Sequence, residues 1–299
     1  MIIGHKKQLE FLEKSYRLGK ISHAYLFSGQ SGLGKKNVAK EFIKIILCQG
    51  DKKPCEKCFS CLQIEKNLHP DLTIVGSQEG DIKIAQIREL SWKLGLKPYI
   101  GQYKAAIIDE AEKMGQESAN ALLKTLEEPS GQAVLILVSE HPESLPQTIV
   151  SRTQIIKFFQ VPKEEMEKYL KEIKIPETKI LELINLSRGK PGKLINFISD
   201  PKKIEEEKER IKEIELLIKS DLTNRFKYVK NIIDKEINIT EILEEWTEYF
   251  REILLEKRKT DYTKTKIHKI IKTIETISQL IKTTNVNTKL ALEMIMLEL

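Results

Sequence analysis

The sequence predicts an α/β fold, a parallel sheet covered by helices, followed by an all-helical C-terminal part. Three observations carry that prediction. A glycine-rich turn, Gly29-Gln30-Ser31-Gly32-Leu33-Gly34-Lys35-Lys36, stands between a short apolar run and an amphipathic stretch. Short apolar runs alternate with helix-period segments up to about residue 160. Beyond Val161-Pro162 every periodic segment has helical spacing. Alternation of this kind implies parallel strands, with ligands at their carboxyl ends.

The first strand is read at His23–Ser28 and the first helix at Asn37–Leu47, where Val38, Phe42, Ile45 and Ile46 recur near helical spacing. Strand, glycine-rich turn and helix form the setting of a phosphate-binding loop. Gly29, Gly32 and Gly34 let backbone N–H groups turn inward on phosphate oxygens, and Lys35 would reach the terminal phosphates. The next position should give Mg²⁺ a hydroxyl, yet Lys36 stands there. An ammonium cannot ligate a cation. The loop is therefore built to hold a nucleotide, or descended from one that did, and poorly built to hydrolyse it.

The composition suits a soluble globular protein of two or three domains, with 299 residues, 40% hydrophobic and 31% charged. No apolar run is long enough to cross a membrane, and the N-terminus lacks a basic-then-apolar signal, so a cytoplasmic location is expected. The net charge of +6 permits contact with a polyanion without demanding it. Charges of both signs are mixed, and no basic stretch is interleaved with aromatics, so base stacking on a single strand is not indicated.

All four cysteines, Cys48, Cys55, Cys58 and Cys61, fall in one polar segment. Such clustering points to a metal rather than disulfides. Four thiolates complete a tetrahedral Zn²⁺ with no open position, which makes the site structural. Cys-x2-Cys-x2-Cys also opens a ferredoxin run, but here the fourth cysteine lies upstream and no Cys-Pro follows, which favours zinc. The five histidines are scattered without ligand spacing and read as ordinary surface or core residues.

A second strand is expected at Asp71–Val75. A helix marked by Ile84, Ile87, Leu90 and Leu94 follows it. The run Lys104–Ile108 ends in Asp109-Glu110. In a nucleotide-hydrolysing fold this aspartate holds Mg²⁺ and the glutamate activates water, although an acidic pair after a strand also serves simply to cap the next helix. A helix over 116–128 turns Ala119, Leu122, Leu123 and Leu126 to one side and is stopped by Pro129. Ala133–Val138 is a near-continuous apolar strand, the mark of a sheet covered on both faces. Its tip, Ser139, would touch a terminal phosphate or be a solvated strand end. Ser151-Arg152-Thr153 then leads into a strand at Gln154–Phe158. Lys163–Lys174 and Glu177–Ser187 make a small helical unit punctuated by Gly189 and Pro191-Gly192. From about Ile204 a longer helical region carries apolar stripes at Trp246, Tyr249, Phe250, Ile253 and Leu254, and again at Leu290, Met294 and Leu297. Such stripes form core or an assembly face.

Taken together, these strings resemble the clamp-loader branch of the AAA+ ATPases across essentially the whole chain, least in the C-terminal third. The resemblance rests on His23-Ala24-Tyr25-Leu26-Phe27-Ser28-Gly29, the cysteine module behind the first helix, Asn120-Ala121-Leu122-Leu123-Lys124-Thr125-Leu126-Glu127-Glu128-Pro129, and Ser151-Arg152. It implies a AAA+ domain at 1–160, a helical lid at 161–203 and a helical collar for oligomerisation at 204–299. It further implies that Arg152 acts in trans, as an arginine finger in a neighbour's site. The family usually has cysteine after this arginine, where this chain has Thr153. Active loader ATPases carry a phosphate-sensing arginine at a position that matches Gly192, with Lys193 one residue late. With Lys36, that is a second departure from the active pattern, so ATP and Mg²⁺ are doubtful cofactors while structural zinc is expected. The implied role is that of a largely non-motor subunit in DNA replication. Its partners would be the loader's ATPase and delta subunits, with primed DNA and a sliding clamp reached through the assembly, and no membrane. The alternatives are a working ATPase subunit of the same loader and a scaffold that holds ATP uncleaved.

Overall fold

The computed structural model describes residues 2–299 except 79, 129–130, 236–237, 256–261 and 285. Of residues 241, 282 and 283 it describes the backbone alone. The chain divides into two compact units, Met1–Asp200 and Pro201–Leu299.

In the first unit α1 (Lys6–Arg17) leads to β1 (Ala24–Ser28), and α2 (Lys35–Leu47) follows the glycine-rich loop. Then come α3 (Phe59–Glu65), β2 (Leu72–Val75), α4 (Ile84–Gly95), β3 (Lys104–Ile108), α5 (Gln116–Glu127), β4 (Ala133–Ser139), α6 (Gln147–Val150) and β5 (Gln154–Lys157). The strands form one sheet in the order β2-β3-β4-β1-β5. Every neighbouring pair is parallel. Period-two alternation splits β1 between two cores. Tyr25 and Phe27 pack with Leu12 of α1, Phe42 of α2 and Ile64 of α3. Ala24 and Leu26 pack with Leu90 of α4 and Leu122 of α5. Both faces are thus covered, as the continuous apolar strands require. Pro129, expected to stop the helix of residues 116–128, lies outside the described residues.

Three further helices, α7 (Lys163–Glu172), α8 (Glu177–Ser187) and α9 (Pro191–Ser199), complete the unit. They bury Met166, Leu170, Ile180, Leu183, Leu194 and Phe197. Pro191-Gly192 opens α9 instead of merely separating helices, because proline at the first helical position has no N–H to waste and a φ already helical.

The second unit is helical: α10 (Lys202–Lys219), α11 (Leu222–Asp234), α12 (Ile239–Leu254), α13 (Lys264–Thr283) and α14 (Thr288–Glu298). The α12 stripe is core, with Trp246, Tyr249, Phe250 and Ile253 buried and Leu254 packed beside them. The C-terminal stripe is not core, since Leu290, Met294 and Leu297 are 59%, 59% and 62% exposed. Helix α14 instead turns Ala291, Leu292, Ile295 and Met296 inward. It is apolar on both sides, so periodicity could not choose its buried face. Among the described residues no helix is long and apolar enough to cross a membrane.

Candidate functional site

The glycine-rich loop leaves the carboxyl end of β1 and enters α2 through Gly34, whose left-handed φ of 84° makes the turn. Helix α2 starts at Lys35, two residues earlier than its periodicity indicated. Lys35 is buried, and its Nζ folds back to donate to the carbonyls of Gly29 and Gln30 at 2.5 and 2.7 Å. Burial holds this ammonium below its ordinary pKa, with Glu140, Glu112 and Asp109 opposing and Lys190 adding to the shift.

The two acids after β3 already have partners. Lys36 Nζ lies 2.8 Å from Asp109 Oδ2. Glu110 has a left-handed backbone, φ 54°. One of its oxygens accepts from the Ser77 hydroxyl and the other from Lys113 Nζ at 2.7 Å. Burial would raise the Glu110 carboxyl, but the hydrogen bonds from Lys113 and Ser77 outweigh it and hold the group below its usual range. Such an acid is a poor general base. The set does not suit Mg²⁺, because the aspartate that would hold the ion bears an ammonium and position 36 offers no hydroxyl. Ser139 is fully buried beneath the loop. Its carbonyl accepts the Gly29 N–H at 3.2 Å and its Oγ the His141 N–H at 3.1 Å.

Helix α9 meets the loop backbone to backbone. The Gly192 N–H donates to Gly32 O at 2.7 Å. A Cβ on Gly192 would stand 3.0 Å from that oxygen and 3.2 Å from Gly32 Cα. Glycine here permits a close approach, where the sequence suggested a missing arginine or a turn between helices.

At the other end of α2 the four cysteines come together. Cys48 caps α2, Cys58 caps the start of α3, and all four Sγ atoms lie within 4.8 Å of one another. Cys48 and Cys58 Sγ are 3.9 Å apart. Tetrahedral zinc with Zn–S near 2.3 Å needs sulfurs about 3.8 Å apart, so the cluster fits that ion. Gly50 and Cys55 donate backbone N–H to Cys48 Sγ at 3.3 and 3.4 Å, and Cys58 to Cys55 Sγ at 3.3 Å. N–H donors from Lys57 and Cys58 hold the Cys55 thiol below its ordinary range. Such bonds favour the thiolate that a metal requires. Gly50 approaches so closely that a Cβ there would meet Cys55 Cβ at 2.8 Å.

A buried polar chain ties this module to the sheet. His69 Nδ1 accepts the Asp71 N–H at 3.0 Å. The neutral ring therefore carries its proton on Nε2, 3.1 Å from Ser60 Oγ in α3. The Asp71 carboxylate accepts the Tyr99 and Ile100 N–H groups at 2.7 and 2.8 Å and pairs with Lys104 of β3 at 2.8 Å. Sequence reading missed this chain, since its members share no motif.

Arg152 follows α6 and precedes β5, away from the loop. Its Nη2 pairs with Glu127 Oε1 at 2.8 Å and its Nη1 donates to the Thr148 carbonyl at 3.1 Å. The side chain is 38% exposed. The structure thus gathers Lys35, Lys36, Asp109, Glu110 and Ser139 around Gly29–Gly34, and leaves Arg152 and the cysteines elsewhere.

DNA polymerase III subunits stand among the known proteins that this chain resembles. DNA polymerase III subunit delta' of Bacillus subtilis (strain 168) is 38% identical over 151 residues, 50% of this chain and 46% of that protein. DNA polymerase III subunit gamma of Buchnera aphidicola subsp. Acyrthosiphon pisum is 34% identical over 179 residues, 59% and 49%. The chain spans about half the length of these relatives. The crystal structure of a gamma subunit-related protein from Thermotoga maritima covers 97% of each chain at 24% identity and a TM-score of 0.50, a likeness of fold alone. The family model described as DNA polymerase III, delta subunit, matches residues 4–162, more than half of the chain, and the chain belongs to that family.

Proposed function

We infer that this chain is a largely non-motor clamp-loader subunit of DNA polymerase III that presents Arg152 to the nucleotide site of a neighbouring ATPase subunit. One observation carries the reading, the placement of Arg152. Strand β5 pairs with β1 from Tyr25↔Gln154 to Ser28↔Lys157. The phosphate loop follows Ser28, whereas Arg152 precedes Gln154, so roughly 10 Å of strand separates the two ends. Arg152 therefore cannot serve its own loop. A phosphate it meets belongs to another chain, as the resemblance implies.

The reading extends to the rest of the molecule. The chain's own site is idle for hydrolysis, because position 36 lacks the hydroxyl and Glu110 is engaged by Lys113 and Ser77. Residues 1–160 form the AAA+ domain, 161–203 the lid and 204–299 the collar that joins the other subunits, ATPase and delta. Primed DNA and the sliding clamp are reached through that assembly, in the cytoplasm. Cys48, Cys55, Cys58 and Cys61 hold a structural zinc. Purified protein would then be colourless, whereas an iron–sulfur cluster would absorb visible light.

Retained Lys35, Asp109 and Glu110 favour a second reading, a working ATPase subunit. DNA-stimulated ATP hydrolysis by the reconstituted loader separates the two. Arg152→Ala should cost about 10³–10⁵ in rate if an arginine finger is lost, while Lys35→Ala leaves hydrolysis nearly unchanged. An equal loss with Lys35→Ala would make this chain a motor.

A further inference from the structure

We propose that Glu127, the last residue of α5, is a positioning residue for Arg152, its carboxylate holding the guanidinium at the angle from which it meets a neighbour's phosphate. The inference rests on the reading of Arg152 as a finger in trans and names what aims it. Helix α5 starts beyond the carboxyl end of β3 and returns to the amino end of the sheet, where β1 and β5 begin, so residue 127 comes to residue 152. Glu127 Oε1 takes Nη2 at 2.8 Å, and the Thr148 carbonyl takes Nη1 at 3.1 Å. Two acceptors on different elements, α5 and α6, thus grip the planar fork by both amino groups. The N–H donors of that fork point in fixed directions, so two bonds set its plane and leave the remaining donors for phosphate oxygens.

Both grips stand on rigid mounts. Leu126, beside Glu127, is buried, and its carbonyl accepts from His23 Nε2 at 3.1 Å, just ahead of β1. Thr125 Oγ1 donates to Ser91 Oγ of α4 at 2.8 Å. On the other side Ile149 of α6 is fully buried, and its carbonyl accepts the Arg152 N–H at 3.1 Å. Thr153 closes the same turn, donating from its N–H and its Oγ1 to the Val150 carbonyl at 3.2 and 3.0 Å. The backbone under both charges is therefore set, and the side-chain pair decides where the guanidinium points. Stability does not account for this glutamate. Glu127 and Glu128 stand at the negative end of the α5 dipole, which Lys124, in the same turn, offsets in part. The pair is 38% and 51% exposed, the class of ion pair that adds little to folding.

DNA-stimulated ATP hydrolysis by the reconstituted loader tests this, with the chain carrying Glu127→Ala, Glu127→Gln, Arg152→Ala or both alanines. Glu127→Ala should lower kcat about fivefold, the upper worth of a half-exposed ion pair, with KM for ATP unchanged. Glu127→Gln keeps an acceptor oxygen at the same reach and should restore kcat to within about twofold of wild type. Adding Glu127→Ala to Arg152→Ala should change nothing further, because the group it aims is gone. A folding defect would instead slow that double variant again and lower its melting temperature. With Arg152→Ala itself crippled, three results overturn the proposal: wild-type kcat in Glu127→Ala, a loss that Glu127→Gln does not recover, or a further loss in the double variant. Wild-type hydrolysis with Arg152→Ala would overturn the finger reading, a separate failure that takes this inference with it.

Discussion

Helix α2 has two ends, and they have been treated differently. At its N-terminus the charges of the candidate site are satisfied within the protein. Lys35 is bonded to the loop, Lys36 to Asp109, and Glu110 to Lys113. At its C-terminus four thiols converge within 4.8 Å, in the geometry of an ion that the chain does not itself supply. The difference teaches which parts of such a domain are expendable. A hydrolytic site can be closed by ion pairs without disturbing the packing around it. A closed four-thiolate site takes the place of a core, and nothing internal can substitute for the metal.

The sharpest way to break this contrast is to remove the metal proposed for the four cysteines. Structural zinc contributes about 10–16 kcal/mol of binding in small modules. Chelation, or Cys58→Ser, should therefore release a metal ion and lower the melting temperature strongly, whereas Lys35→Ala should leave melting nearly unchanged. Comparable shifts would end the distinction.

Next in size is the chain that ties the cysteine module to the sheet. Asp71→Ala leaves Lys104 buried and unpaired and should cost about 3–5 kcal/mol in denaturant unfolding. The pH dependence follows from the same groups. Burial would raise the Asp71 carboxyl, but Lys104 and the Tyr99 and Ile100 N–H groups outweigh it and lower its pKa. Its contribution is present above the ordinary aspartate value, about 4, and is lost as pH falls through the lower folded value. Burial also lowers the His69 pKa, so stability declines as pH drops below about 6.5 as well. Unfolding followed across pH should show both limbs, and Asp71→Asn should remove only the acidic one.

Two glycines give a matched and smaller comparison. Gly50→Ala would meet Cys55 Cβ at 2.8 Å and Gly192→Ala would meet Gly32 O at 3.0 Å. Each should cost about 1–3 kcal/mol as overpacking. Only Gly50→Ala should also weaken metal retention, measured as metal content after dialysis. Smallest is Lys36→Thr. It breaks a half-exposed ion pair worth about 0–1 kcal/mol, so its melting curve should overlay that of the wild type.

Sequence carried much of the fold because buried parallel strands read as continuous apolar runs. All five expected strands are present, with ends shifted by a residue or so. Helix α1 escaped notice since only Leu12 of its twelve residues is fully buried and charges dilute its stripe. Helix α3 hid within the cysteine spacing, and α9 behind a Pro-Gly pair that reads as a break. The members of the candidate site were legible from glycine, lysine and acid spacing. Their pairings were not. Lys36 meets Asp109 because β1 and β3 run parallel, so the loop and Asp109 leave the same, carboxyl end of the sheet, and nothing local in the sequence announces the left-handed backbone of Glu110. The same limit hid the link from Ser60 through His69 to Asp71.

The backbone contact between Gly192 and Gly32 also bears on how such a chain can evolve. On the proposed reading of an idle site, hydrolysis would take a hydroxyl at 36, a freed Glu110 and an arginine near 192. A side chain at 192 would need the contact between α9 and the loop to give by a few tenths of an ångström. On the proposed reading, the step at 192 brings a packing cost before it brings any activity.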